Sequence, residues 1–378
     1  MWREGYDVII IGGGVAGATA AFKASEKGFS VAVIDEKKDP GTPVICGEFI
    51  PDKEKVSFAF EALPEMSRAY DLFKFTNILV KTRDVIVKVK GRRELRLGVS
   101  GFVIDKALLI KTLLEMAEAN GATLVRSVRV RHISEKNGRY LVKVKNNILR
   151  AGKIIGADGY PSTTAALLGM DSGYTLNDWA IAGHVRGRGE WGEDEVYMYV
   201  DLDFTPGGYA WVIPRGDGEA NVGIGIRVSY ARRGLKIQRL LREFCSLVHV
   251  ESVVEGPYYK CIPVGGVVRK VRKRGATLIG DSAGLVNPIN GGGIPTAIAS
   301  GLAVSESLER ECYDDFITRS RKLLGWGLKY RFLVDAFYAK SLVGMLGVRL
   351  TPTKIAERVL KGEKTPLLAL TWIAKLIL

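Results

Sequence analysis

The chain has 378 residues, 47% of them hydrophobic and 25% charged, a globular balance that suits two domains or one domain with a large insertion. Lys and Arg outnumber Asp and Glu 55 to 41, and the resulting formal charge of +14 favours acidic partners such as anionic lipid, nucleic acid, a phosphorylated substrate or an acidic protein. Four scattered cysteines (Cys46, Cys245, Cys261, Cys312) form no CxxC and three histidines (His132, His184, His249) match no ligand spacing, which argues against a zinc site, an iron–sulfur cluster or any other protein-held metal.

The N-terminal stretch MWREGYDVIII runs into a strand within a few residues, with no readable secretory signal, and no run of 18 uncharged apolar residues follows anywhere. These features predict a cytoplasmic protein and leave open a peripheral contact with the inner face of the membrane. Residues 7–11, DVIII, read as a buried parallel strand; GGGVAG at 12–17 follows, then a helix rich in Ala, then a second strand, SVAVID, ending at Asp35. That order is the dinucleotide fingerprint. Gly12 permits the tight turn, Gly14 lets a pyrophosphate approach the backbone, and Gly17 lets helix and strand pack closely. Asp35 is placed to accept hydrogen bonds from an adenosine ribose, and Ala16 and Glu36 belong to the same binding unit. A glycine-rich turn without a ligand would need the whole unit to arise by chance. A second GxGxxG, GRGEWG at 187–192, precedes an acidic strand rather than a helix and reads as a polar loop.

Further along, 73–100 and 178–230 alternate apolar and polar residues and predict an antiparallel sheet built from two insertions; 131–147 reads as a hairpin of the nucleotide-binding part. KIIGADGYPST at 153–163 is a strand running into Asp158-Gly159 and then a helix. ATLIGDSAGLVNPINGGGIPTAIASG at 276–301 is a strand ending at Gly280-Asp281, followed by a glycine-rich loop that opens a helix near Gly292. After residue 311 the chain turns helical.

Here the sequence resembles the large FAD family that includes aromatic-ring hydroxylases and geranylgeranyl reductases. By that resemblance the cofactor is FAD, Asp281 holds the flavin ribitol, and Gly291, Gly292 and Gly293, with Ile294 behind them, lie against the isoalloxazine. A helix N-terminus suits the anionic ring of reduced flavin. In GFVIDKALL at 101–109, Lys106 stands where the family usually carries Arg; it is either a phosphate contact or a solvated helix residue.

Two short motifs, PVICGEF at 43–49 and YAWVIP at 209–214, resemble the geranylgeranyl reductase family, whose members saturate isoprenoid chains of archaeal lipids or of chlorophyll and quinone precursors. Ile213 replaces the family's usual Phe, and Phe49 stands where Gly is common. The resemblance implies that the loop bearing Cys46, Gly47 and Glu48 lies by the flavin, with Cys46 relaying or positioning a proton and Glu48 and a water behind it. Cys46 could equally be a small buried apolar residue. Tyr209 and Trp211 share one face of a strand, and either line an isoprenoid pocket or simply pack the sheet. The Ile-Pro half of the second motif also resembles flavin-dependent halogenases, with an aromatic-ring hydroxylase as the related option. An electron carrier to a membrane quinone is a third reading, disfavoured by the cysteine spacing.

The expected architecture is therefore α/β: a discontinuous Rossmann-type FAD-binding domain (1–72, 101–174, 260–310), an inserted antiparallel-sheet substrate domain (73–100, 175–259) and a helical C-terminal region (311–378). The expected partners are an isoprenoid lipid, an anionic membrane surface, and NADPH, a deazaflavin or a ferredoxin as reductant; nucleic acid is not among them. The membrane expectation rests on the basic run RKVRKRG at 269–275 and the apolar LLALTWIAKLIL at 367–378, which is too short to span. A solvated loop and a packed helix would read the same way.

Overall fold

The computed structural model describes residues 5–89, 93–201, 204–231 and 234–338. The chain opens with β1 (Gly5–Ile11), α1 (Val15–Glu26) and β2 (Val31–Ile34), and β1 and β2 pair in parallel with Val8 opposite Val31. The unbroken apolar run of β1 is explained by cover on both faces. Val8 and Ile10 point to one helical layer, while Ile9 and Ile11 point to the other side of the sheet. A loop then leads to β3 (Phe49–Pro51), α2 (Phe58–Ala62), α3 (Pro64–Tyr70), β4 (Ile78–Thr82), β5 (Asp84–Val89), β6 (Arg93–Arg96) and β7 (Gly101–Ile104). Strands β3, β7 and β4 make a small antiparallel sheet.

Helix α4 (Lys106–Ala119) starts at Asp105, whose carboxylate accepts the Leu108 N–H at 2.9 Å, an N-cap of the usual kind. β8 (Thr123–Val125), β9 (Ile133–Lys136), β10 (Arg139–Val144), β11 (Asn147–Gly156) and α5 (Thr163–Leu167) follow. The parallel core of the main sheet runs β18 (Ala276–Leu278), β11, β1, β2, β8, with β17 (Arg272–Lys273) on its edge and the β9–β10 hairpin attached to β11. Helices α1, α4 and α8 (Ile294–Glu306) cover one face. The small residues of α1 allow a close crossing: a methyl on Gly301 of α8 would stand 2.8 Å from the Ala16 carbonyl.

The second layer is built from β12 (Trp179–Arg188), β13 (Glu195–Val200), β14 (Tyr209–Gly216), β15 (Glu219–Arg227), α6 (Val228–Ala231), α7 (Ile237–Leu247) and β16 (Ser252–Pro263). Its sheet runs β16–β12–β15–β14–β13–β5–β6. Side-chain alternation divides this sheet cleanly. Ala210, Val212, Val222 and Ile224 pack under Leu240, Leu241 and Phe244 of α7, whereas Val85, Trp211 and Ile213 occupy the opposite face.

Three expectations are corrected here. The two insertions meet through a parallel pair, β5 with β13 (Val85 opposite Val196), so the sheet is mixed rather than antiparallel. β4, expected in that sheet, pairs instead with β7, and β16 runs unbroken through the boundary placed at 259/260. In the basic run 269–275, Arg269, Arg272 and Arg274 are ion-paired with Asp171, Asp314 and Glu135, Lys273 Nζ donates to the Leu168 carbonyl, and Lys270 is exposed. The helical expectation past 311 is met by α9 (Tyr313–Tyr338); the segments expected at 351–360 and 365–378 lie outside the described residues.

Candidate cofactor and substrate site

One cavity of about 720 Å³ lies between the two layers. One end is walled by the β1–α1 turn. A methyl on Gly12, whose φ is +100°, would meet the Ala157 carbonyl at 2.4 Å, and one on Gly17 would meet the Gly12 carbonyl at 1.9 Å. Both glycines are therefore required by the protein's own packing. Gly14 differs: a methyl there would touch nothing within 4 Å, and Gly14 is the N-cap of α1 with no side-chain capping bond. The first-turn N–H groups of α1 are left for a ligand, as an anion site at a helix start requires. Asp35 also lines this end; its carboxylate accepts from the Gly13 N–H at 2.6 Å and the Lys37 N–H at 2.8 Å, while the exposed Glu36 at the rim faces Arg129 at 3.6 Å.

The middle of the cavity is formed by Asp281, the 287–293 loop and the start of α8. Gly291 has φ +71°, Gly293 caps α8 without any side-chain bond, and Ile294 begins the helix. Asp281 accepts from Lys260 Nζ of β16 at 2.7 Å, so an ion pair ties the two layers together at the site. Gly280, expected from the sequence to touch the cofactor beside Asp281, is placed differently. Gly280 sits behind the wall, packed on Ala16, with its N–H given to Ser300. Asp158 and Gly159 both line the cavity; the two oxygens of Asp158 accept from Ser162, Thr164 and Ser282, which shapes the turn there. Lys106 lines the cavity and is not a solvated helix residue.

The far end is apolar, with Phe49, Val85, Met198, Tyr209, Trp211 and Ile213 on the sheet side and Phe58, Met66, Tyr70 and Leu324 beyond. Tyr209 and Trp211 lie with ring centres 5.7 Å apart, and Tyr209 donates its hydroxyl to the Asn290 carbonyl at 2.6 Å. Burial pushes the Tyr209 phenol well above its ordinary range, so it stays protonated. The Cys46 loop crosses between the middle and the far end; Gly47 lies so near Ile213 that a methyl would meet it at 2.6 Å. The Glu48 N–H donates to Cys46 Sγ at 3.4 Å.

Glu48, expected behind Cys46 as part of a proton relay, is held otherwise. Its side chain is fully buried, paired with the Arg215 guanidinium, and accepts the backbone N–H of Lys106 at 2.9 Å. A carboxylate held by a guanidinium is kept ionised and has no proton to give. Sequence reasoning missed Arg215, Lys260, Asn221 and His184. His184 matches no ligand spacing in the sequence, and in the structure it is a buried, hydrogen-bonded residue that, like Asn221, sits at an inward position of its strand. That is where a polar side chain signals a partner.

Asn221 Oδ1 accepts the Trp211 indole N–H at 2.7 Å, and its Nδ2 reaches the Cys46 carbonyl at 2.8 Å and His184 Nδ1 at 2.9 Å. Burial, helped by the charge of Lys106, lowers His184 to about 4, so the ring is neutral. Lys37, Lys106 and Lys260 all line the same cavity. Burial lowers the first two, whereas the neighbouring Asp281 raises Lys260. The open Gly14 corner, the uncapped starts of α1 and α8 and these cations fit a dinucleotide with an anionic pyrophosphate.

Comparison with known proteins agrees with this geometry. A profile described as the FAD dependent oxidoreductase family matches residues 7–69, and one described as the geranylgeranyl reductase catalytic domain matches 185–255. A digeranylgeranylglycerophospholipid reductase of Thermoplasma volcanium is 32% identical over 362 residues, covering 90% of this chain and 86% of that protein. The enzyme of the same name from Methanosarcina mazei is 29% identical, over 81% of this chain and 75% of its own. Among solved structures, a geranylgeranyl bacteriochlorophyll reductase-like protein from Thermoplasma acidophilum superposes with a TM-score of 0.71 at 25% identity, over 88% of this chain and 84% of that one. A flavin-dependent brominase reaches 0.66 at 14% identity over 97% of this chain and 98% of its own, a likeness of fold alone. With a relative at 32% identity across nine-tenths of its length, this chain belongs to the geranylgeranyl reductase family and is an FAD-dependent oxidoreductase acting on carbon–carbon double bonds.

Proposed function

We propose that the protein saturates the double bonds of geranylgeranyl chains carried by archaeal-type membrane phospholipids. The observation that carries this reading is the continuity of the cavity: a dinucleotide cradle at one end opens, past Cys46, onto an apolar wall. Burying an isoprenoid chain there is favourable by about 0.8 kcal/mol per CH₂. Held in this cavity and reduced beforehand by an external donor, FAD would supply the hydride that one alkene carbon receives and would itself return to the oxidised form. An isolated alkene has no carbonyl to hold negative charge, so the other carbon needs a proton held close by in a water-poor place. Cys46 Sγ is the group we assign to hold or position that proton, oriented by the Glu48 N–H. Tyr209 and Trp211 hold the chain; Lys106 and Lys260 hold the negative charge of the cofactor; Glu48 and Arg215 lock the loop between α4 and β14. In this reading the chain keeps a three-part division, with β4 assigned beside β7 to the FAD-binding layer, β16 assigned whole to the substrate layer, and the membrane's inner face as the source of the lipid.

The test is anaerobic. The enzyme is chemically reduced, a geranylgeranyl lipid is added, and flavin reoxidation and product mass are followed together. Reoxidation with a gain of about two daltons per double bond, one hydride and one proton, is expected. Reoxidation that requires oxygen, with an aromatic substrate gaining a hydroxyl or halide, would overturn the reading in favour of a hydroxylase or halogenase.

A further inference from the structure

We infer that Asn221 is a positioning residue for the reaction: its single amide fixes the Cys46 loop against the sheet that carries the substrate wall. The inference rests on the assignment of Cys46 above. Cys46 lies in a bend, outside any helix or strand, so no backbone ladder sets its place. Asn221, on β15, is 2% exposed and its amide joins three other parts of the chain: the Cys46 loop, His184 on β12 and Trp211 on β14.

The orientation of that amide is dictated by chemistry. An indole can only donate, so the atom facing Trp211 is the oxygen. A backbone carbonyl can only accept, so the atom facing Cys46 is the nitrogen, at 2.8 Å. The remaining N–H of that nitrogen points at His184 Nδ1, which must therefore accept and carry no proton. A neutral ring then bears its proton on Nε2, a buried atom that has no hydrogen-bond partner among the described residues. Both N–H groups of the amide are used, and its oxygen is taken up by the indole. Each partner is on a different segment, and Cys46 lies 175 residues away in sequence, so loss of the amide loosens the loop at Cys46 itself without unpairing a strand, while Glu48 and Arg215 still hold it two residues on.

The experiment uses the FAD-loaded enzyme and two variants. Asn221→Ala removes all three bonds; Asn221→Asp keeps the volume and the acceptor for Trp211 but turns an oxygen toward the Cys46 carbonyl. Alkylation by iodoacetamide is followed peptide by peptide by mass spectrometry, with Cys245, Cys261 and Cys312 as internal references. Expected are full flavin content, a several-fold change of the Cys46 rate with the other three unchanged, and a kcat for lipid reduction lower by about a hundredfold at near-constant KM. An unchanged Cys46 rate in both variants overturns the inference. So does a common change at all four cysteines, loss of flavin, or failure of both variants to fold, because each marks Asn221 as a stabiliser of the fold and nothing more. The alkylation arm needs no lipid: a selective Cys46 effect in an enzyme that reduces no geranylgeranyl chain would defeat the proposed substrate and leave the positioning role standing.

Discussion

At His184 a pH dependence follows from geometry. The ring is 4% exposed and lies near the charge of Lys106, so burial first and that charge second resist another proton, and the group falls from 6.5 to about 4. Below pH 6.5 the unfolded chain takes up a proton that the folded chain refuses. Stability therefore declines as the pH falls from about 6.5 toward 4, by up to about 3 kcal/mol in all, and this contribution levels off below 4. His184→Gln keeps an acceptor for Asn221 and removes the titration. Urea denaturation at pH 7 and pH 5 should show the wild type losing about 2 kcal/mol more than the variant. Equal losses would mean that His184 titrates as in water.

Element-scale behaviour is clearest in β15. Its residues alternate strictly: Ala220, Val222, Ile224 and Ile226 are buried toward α7, while Asn221, Gly223 and Gly225 face the cavity side. The glycines form a floor for the Trp211 ring. A methyl on Gly223 would stand 2.2 Å from Trp211 Cζ2 and 2.7 Å from His184 Cβ. Glycine inside a strand marks such a close approach of another group. Gly223→Ala should thus push the indole into the cavity and cost about 1–3 kcal/mol of overpacking. We expect flavin content to stay complete while lipid turnover falls at least about tenfold, the scale set by loss of orientation. Wild-type turnover in a folded Gly223→Ala enzyme would show that the indole does not set the position of the substrate.

For the whole molecule the question is how a lipid reaches the cavity. Among the described residues no helix is long and apolar enough to cross a membrane. The arginines of 269–275 face Asp171, Asp314 and Glu135, which offset part of the charge of that run, so any membrane attraction would draw on the net charge of +14 as a whole more than on that run alone. Each cation near an anionic surface adds about 1 kcal/mol, screened by salt. Sedimentation with vesicles of anionic phospholipid should show binding that weakens as salt rises, and Arg269→Gln should change it little. Absence of binding at low salt would remove the peripheral contact from the proposal.

The sequence by itself determined the β1–α1–β2 unit, the place of Asp35 and the start of α8, and through them the class of cofactor. The physical reason is locality. A pyrophosphate is held by consecutive backbone N–H groups at a helix start, and the glycines that permit this lie within six residues of one another. The facing of Tyr209 and Trp211 was legible for the same reason, since alternation along one strand needs no partner. Only the tertiary structure could decide that Glu48 meets Arg215, that Lys260 of one layer pairs with Asp281 of the other, and that Asn221 reaches the Cys46 carbonyl. These contacts depend on strand register: β14 and β15 pair with Trp211 opposite Gly223, and a slip of one residue would turn Asn221 to the α7 face. That register is itself encoded locally, by the two-residue Asp217-Gly218 turn with both residues at positive φ; what the chain does not encode locally is which distant segments, the Cys46 loop and β12, come to lie against the Asn221 face.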